Sequence, residues 1–338
     1  MNLGATVRIN RLGVCVLAGI FVLIVIYLWP WKDLDVDGPH RVNLRRLLVA
    51  SVQAAERGGR RVALVRSRPE INSESKGKTR EGAESLVTDA DYSSHCVMYY
   101  GIKGIFPYLK VISEEKDKEK ECSQLSPLEL DPKGNTGVEA LDDEEVDASK
   151  ITVWIDPLDA TQEFTENLLD CVTTMVCVAY EGNPIIGVIH KPFSQEPKTT
   201  WAWVNKGKSP NLKSVKKTYG FQSDSKTFLV SRSHSGNVTK IIKEKFGQEY
   251  EIVRSGGAGF KILEVIAGNA SAYIHVTDIK KWDVCAGDAI ITAVNGRLMT
   301  LDGKDLDYSA ESSEKNSRGI LASMGDIPEY IAKLKDIL

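Results

Sequence analysis

The chain has 338 residues, 42% of them hydrophobic and 26% charged, which is enough to bury a full core as one large domain or two closely packed halves. A formal net charge of −3 and an isoelectric point near 6.0 supply no basic field that would draw in a nucleic-acid backbone, so composition argues against a polymer-binding role. A small anionic ligand needs only a local site.

In chain order, the first feature is an uncharged apolar run from Leu12 to Trp31, 20 residues long and therefore able to cross roughly 30 Å of hydrocarbon as a helix. Arg8 and Arg11 precede it and Asp33, Asp35 and Asp37 follow, a bias that keeps the N-terminus cytoplasmic. The expectation is a cytoplasmic tail over 1–11, a transmembrane signal anchor over 12–31 and a lumenal domain over 32–338, which is type II topology. A cleaved signal peptide is the competing reading, but the run exceeds an ordinary h-region and residues 27–31 offer no small-residue cleavage site. The sequons Asn237-Val238-Thr239 and Asn269-Ala270-Ser271 are usable only on the lumenal side. The six cysteines contain no CxxC pair, and the five beyond the anchor are an odd number, so buried or partly paired thiols are expected rather than a thiolate metal site.

Leu44, Leu47, Leu48, Val52 and Ala55 recur at helical spacing, and Gly58-Gly59 predicts the end of that helix. Residues 66–85 are polar and read as a solvated loop, or as one that closes over a site. The stretch 115–150 carries 12 acidic against 5 basic residues and predicts a surface insertion that adds little to the core. Strand patterns follow at 151–155, 171–180, 185–190 and 227–230, with helical patterns at 238–246, 259–267 and 283–294, a mixed α/β arrangement.

Within it, Trp154-Ile155-Asp156-Pro157-Leu158-Asp159-Ala160-Thr161 takes a strand into a Pro-containing turn with two aspartates three apart. Pro157 is expected to end the ladder. Asp156, Asp159 and the Leu158 carbonyl can then converge as hard oxygen ligands of the kind Mg²⁺ takes. Acids also end the run Val111-Ile112-Ser113-Glu114-Glu115, and Asp283 begins a helix in Trp282-Asp283-Val284-Cys285-Ala286-Gly287.

From Val42 to the C-terminus these three ordered motifs resemble the lithium-sensitive, magnesium-dependent phosphatases of the inositol monophosphatase superfamily. The resemblance implies a layered αβαβα sandwich, with Glu114, Asp156, Leu158 through its carbonyl, Asp159 and Asp283 binding two to three Mg²⁺ ions. It also implies that Asp91 and Thr161 activate the attacking water, with Asp89 the alternative to Asp91. The Asp-Ala-Thr-Gln-Glu turn is similar to the branch that removes the 3′-phosphate of 3′-phosphoadenosine 5′-phosphate. In that branch Ser231, His234, Gly257, Lys261 and Asp283 would hold the nucleotide. Gly256 and Gly257 before a helix would let an anion approach the helix N-terminus. Together with the anchor, the resemblance implies a Golgi-lumenal enzyme whose partners are a small nucleotide and the membrane, without a nucleic-acid polymer. It leaves open a homodimer, an enzyme acting on inositol polyphosphates, and a non-catalytic, membrane-tethered binding protein that keeps the fold.

Overall fold

The computed structural model describes residues 14–15, 18–23, 40–78, 82, 84–116, 122, 128, 130, 137–195, 199–212, 226–233, 237–325 and 327–335. Residues 1–39 and 40–338 are separate compact units. In the first, residues 14–15 and 18–23 are helical and exposed. Most of the expected anchor lies outside the described residues, and among those described no helix is long and apolar enough to cross a membrane.

In the second unit a short strand, Arg41–Asn43, pairs with Glu145–Asp147 and leads into α1 (Leu44–Arg66), capped by the Asn43 side chain, which accepts from Arg46 N–H at 2.8 Å. Gly58 and Gly59 do not end α1. A side chain at Gly58 would collide with Met98 and Ser94, and one at Gly59 with the His190 ring, so these glycines permit close packing. A hairpin follows, β1 (Ser73–Lys78) and β2 (Glu84–Thr88), in place of a loop. Then come α2 (Asp89–Ile105) and β3 (Lys110–Ser113).

β4 (Ile151–Asp159), α3 (Thr161–Thr165), β5 (Thr173–Tyr180), β6 (Asn183–His190), β7 (Thr199–Trp203) and β8 (Gly207–Lys208) succeed one another. The six-stranded sheet has the order β8-β7-β6-β5-β4-β3, antiparallel except for β3 and β4. β5 shows how it is buried on both faces. Val176 and Val178 point into the core shared with α1 and α2, whereas Met175, Cys177 and Ala179 point the other way. Pro157 does not end the ladder. The pairing of β4 with β5 is interrupted between Asp156 and Asp159 and resumes at Asp159↔Thr173, a bulge that absorbs the missing proline N–H.

β9 (Thr227–Ser231), α4 (Val238–Phe246), β10 (Glu251–Ser255), α5 (Ala258–Ala267), β11 (Ala272–His275), β12 (Ile279–Lys280), α6 (Lys281–Ala293), β13 (Arg297–Met299), β14 (Lys315–Asn316), β15 (Ile320–Ser323) and α7 (Ile327–Leu334) complete the chain. The second sheet has the order β10-β9-β11-β15-β13. Between the sheets, Ile262 and Val265 of α5 and Val284, Cys285 and Ile290 of α6 share one core with Trp154, Met175 and Tyr273. On the outer face of the second sheet, Phe228, Ile274 and Leu321 pack on Ile242 and Phe246 of α4 and Leu334 of α7. The layers are αβαβα, as expected.

The acidic stretch contributes more than expected. Leu128, Val138 and Val146 are buried in the core with α1, and Cys122 is disulfide-bonded to Cys96 of α2. A second disulfide joins Cys177 to Cys285, and Cys171 is a buried free thiol.

Candidate active site

Three element ends bring the acids together. On either side of its bulge β4 carries Asp156 and Asp159, Glu114 directly follows β3, and Asp283 lies in the first turn of α6. Carboxylate oxygens of Glu114, Asp156 and Asp283 all fall within 4.8 Å of one another, on a cleft of about 770 Å³. Asp156 is 1% exposed, with Oδ1 accepting from Leu158 N–H at 3.1 Å. Burial raises the Asp156 and Asp283 carboxyls well above the usual range, and the charge of Glu114 raises both further. Among the described residues the cation ion-paired to this trio is Lys76 of the β1–β2 hairpin, 3.0 Å from Glu114 and also bonded to Glu115. A desolvated, self-repelling set of carboxylates with one lysine fits a hard dication as its missing counter-charge.

Asp159 is not one of the three. Its Oδ1 accepts from Ala258 N–H at 3.1 Å and its Oδ2 from Gly259 N–H at 2.9 Å and from Thr173 Oγ1 at 3.2 Å. The N-terminus of α5, expected to receive a ligand anion, therefore holds a carboxylate of the protein itself. Gly257 serves the turn before α5: its φ is +64°, and a side chain there would collide with the Cys171 carbonyl.

Asp91 and Thr161 meet. Thr161 Oγ1 lies 3.0 Å from Asp91 Oδ1 and 3.1 Å from the Leu158 carbonyl, which links the α2 N-terminus to the β4 turn. Asp91 Oδ2 accepts from Thr88 N–H at 2.7 Å and Thr88 Oγ1 at 2.5 Å, closing a capping box on α2. Burial pushes the Asp91 carboxyl up to about 7, against the lowering effect of Thr88. Asp89, the alternative, instead accepts from Asn72 Nδ2 at 2.9 Å on the exposed side. The Leu158 side chain anchors the turn among Ala90, Phe164 and Val172.

Lys261 is 2% exposed and lines the same cleft. Its Nζ donates to the carbonyls of Gly257 at 2.6 Å and Ser255 at 3.1 Å, above the Tyr273 ring. Burial lowers its pKa, opposed by Asp159 and Glu163. Ser231 also lines the cleft, whereas His234 lies outside the described residues. Asn237 and Asn269 are both exposed.

Several cleft residues received no role from the sequence. Glu163 is buried and paired to Arg232 at 3.4 Å, and Tyr273 OH lies 3.3 Å from His275 Nδ1. Lys76 had a local signal, its place in a polar segment able to close over a site.

A profile of the inositol monophosphatase family matches residues 43–335. Inositol monophosphatase 3 of Xenopus tropicalis is 46% identical over 311 residues, covering 89% of this chain and 83% of that protein. The Golgi-resident adenosine 3′,5′-bisphosphate 3′-phosphatase of Rattus norvegicus is 42% identical over 300 residues, covering 86% and 81%. Among solved structures, the extragenic suppressor protein suhB of Bartonella henselae superposes with a TM-score of 0.62 at 16% identity, covering 86% of this chain and 99% of its own. CysQ of Bacteroides thetaiotaomicron gives 0.56 at 19%, covering 83% and 98%. With the acids, the Asp91–Thr161 pair and the layered fold in place, the chain belongs to the inositol monophosphatase family and is a phosphoric monoester hydrolase.

Proposed function

We propose that this hydrolase removes the 3′-phosphate from 3′-phosphoadenosine 5′-phosphate, in a magnesium-dependent and lithium-sensitive reaction within the Golgi lumen, giving AMP and phosphate. The observation that carries the reading is a cleft with the carboxylate trio at one point and the buried ammonium of Lys261 at another, a layout suited to a ligand with two phosphates. Kinship with the rat phosphatase adds to it.

Glu114, Asp156, Asp283 and the Leu158 carbonyl would hold Mg²⁺, and Asp159 would join through lone pairs not used by α5. Bound there, Mg²⁺ supplies counter-charge and Lewis acidity. Thr161 Oγ1 has one proton to donate, to Asp91 or to the Leu158 carbonyl, and can accept from water entering the cleft. Asp91, with its carboxyl near neutrality, is suited to take up that water's proton through Thr161. Lys261 has a third donor left for the second phosphate, which Ser231 and His234 would help to hold.

Anchoring by residues 12–31, with the catalytic unit lumenal, is part of the reading. Two disulfides support it, since such bonds persist in oxidising compartments.

The test is phosphate release by the full-length chain from 3′-phosphoadenosine 5′-phosphate and from inositol 1,4-bisphosphate, in Mg²⁺ with and without Li⁺. Preference for the nucleotide with inhibition by Li⁺ is expected. Preference for the inositol phosphate would keep the site and overturn the substrate.

A further inference from the structure

The Cys177–Cys285 disulfide lies inside the molecule, with Cys177 at 1% and Cys285 at 0% exposure. Cys177 is on β5 opposite Trp154 of β4, two residues before Asp156. Cys285 is on α6, two residues after Asp283. A covalent path therefore runs from the strand paired with the Asp156 strand into the helix turn that presents Asp283. On its other side Cys177 pairs with Gly187 of β6, where a side chain would collide with the Ala286 carbonyl. The disulfide thus sits where α6 approaches the sheet closely.

The start of α6 is also held by Lys281 N–H, which donates to the Glu314 carbonyl at 2.9 Å, and by buried Trp282, whose ring lies 6.4 Å from that of Trp154. It is entered from β12, two residues long and paired only with the equally short β14. No side chain of the preceding residues caps it except through Asp283 itself, whose Oδ2 accepts from Lys280 N–H at 3.1 Å. To these non-covalent contacts the disulfide adds a covalent tie on the C-terminal side of the turn, at Cys285.

We infer that the Cys177–Cys285 disulfide is a positioning element for cation binding, holding Asp283 at the spacing that lets it share an ion with Asp156 and Glu114. This inference rests on the magnesium reading of the trio. Groups that orient metal ligands from behind typically change affinity about 10–100-fold. Because coupling is reciprocal, Mg²⁺ binding must stabilise the disulfide by the same factor.

The experiment is calorimetric Mg²⁺ titration of the full-length chain, comparing wild type with Cys177→Ala/Cys285→Val, a replacement that refills the core. Cys96→Ala/Cys122→Val is the matched control. The expected result is a Kd for Mg²⁺ about tenfold higher in the first variant and unchanged in the control, with native circular dichroism in both. A Kd within twofold of wild type, or equal loss in both variants, would overturn the inference. Wild-type protein with no Mg²⁺ binding sensitive to Asp156→Ala would instead remove the magnesium reading beneath it.

A second measurement needs no variant. Dithiothreitol reduces the disulfide to two thiols and is oxidised to its cyclic disulfide, two electrons and two protons passing to the cysteine sulfurs. The fraction reduced is read by alkylation of Cys177 and Cys285 and mass spectrometry, with and without saturating Mg²⁺. A tenfold shift toward the disulfide, about 30 mV, is expected with Mg²⁺; no shift would sink the inference whether or not the variant folds.

Discussion

Asp91 uses its two carboxylate oxygens for different ends: Oδ2 closes the cap of α2, and Oδ1 faces the Thr161 hydroxyl. Thr161→Val removes that hydroxyl and leaves the cap, so kcat should fall about a hundredfold or more in steady-state assays while KM changes little. Lys261→Met should do the reverse, raising KM for the bisphosphate nucleotide about tenfold with a small change in kcat; an unchanged KM would take Lys261 out of substrate binding. Ala160 sits at φ +70° and ψ +45°, in the left-handed region. Ala160→Gly should relieve about 1 kcal/mol of backbone strain and raise Tm by about 2 °C in a thermal melt. At this scale the sequence was readable where local geometry sufficed. Thr88 stands three residues before Asp91, the capping-box spacing that favours Asp91 over Asp89. Asp159 was only partly legible, because its two N–H donors come from Ala258 and Gly259, about a hundred residues away in the chain.

Elements from β4 to β6 and the helices α4 to α6 appear close to where periodicity places them. The misses have a common cause: a local signal with a tertiary explanation. Gly58 and Gly59 look like a helix stop, yet what they answer to is Met98 and His190, neither of which is near them in sequence. The acidic stretch looks solvated, yet Leu128 and Val138 are drawn into the core. On α6, Asp288 shows a different consequence of burial. Its carboxylate accepts from Tyr308 OH at 2.9 Å, and desolvation pushes the carboxyl up to about 7. An unfolded aspartate titrates near 3.9, so between about pH 4 and pH 7 the folded state keeps a proton that the unfolded state has released. The associated stability is fully present below pH 4 and is lost as pH rises through 7. Asp288 should contribute a fall of about 1.4 kcal/mol per pH unit in that window. Asp288→Asn should flatten the curve, measured by denaturant titration of the Mg²⁺-free protein from pH 5 to pH 7.

For the whole molecule, the layer order was beyond periodicity, since strands buried on both faces, such as β5, show no alternation of polar and apolar residues. The motif resemblance, not the pattern, led to αβαβα. Compartment is likewise a property of the full chain. Expressed in secretory cells, a lumenal unit should carry glycans on Asn237 and Asn269, both exposed. Asn237→Gln and Asn269→Gln should each remove one endoglycosidase-sensitive mobility step; a wild-type chain with no such step would count against the lumenal reading.

The carboxylate of Asp159 has a consequence for selectivity. It fastens α5 to β4, and α5 carries Lys261 while β4 carries Asp156. The gap between the anionic and cationic ends of the cleft therefore depends on the reach of that side chain together with the packing of Ile262 and Val265 with Trp154. On the proposed two-phosphate reading the cleft would measure its ligand with a ruler, and Asp159→Glu, one methylene longer, would recalibrate it toward ligands whose two charged groups stand farther apart.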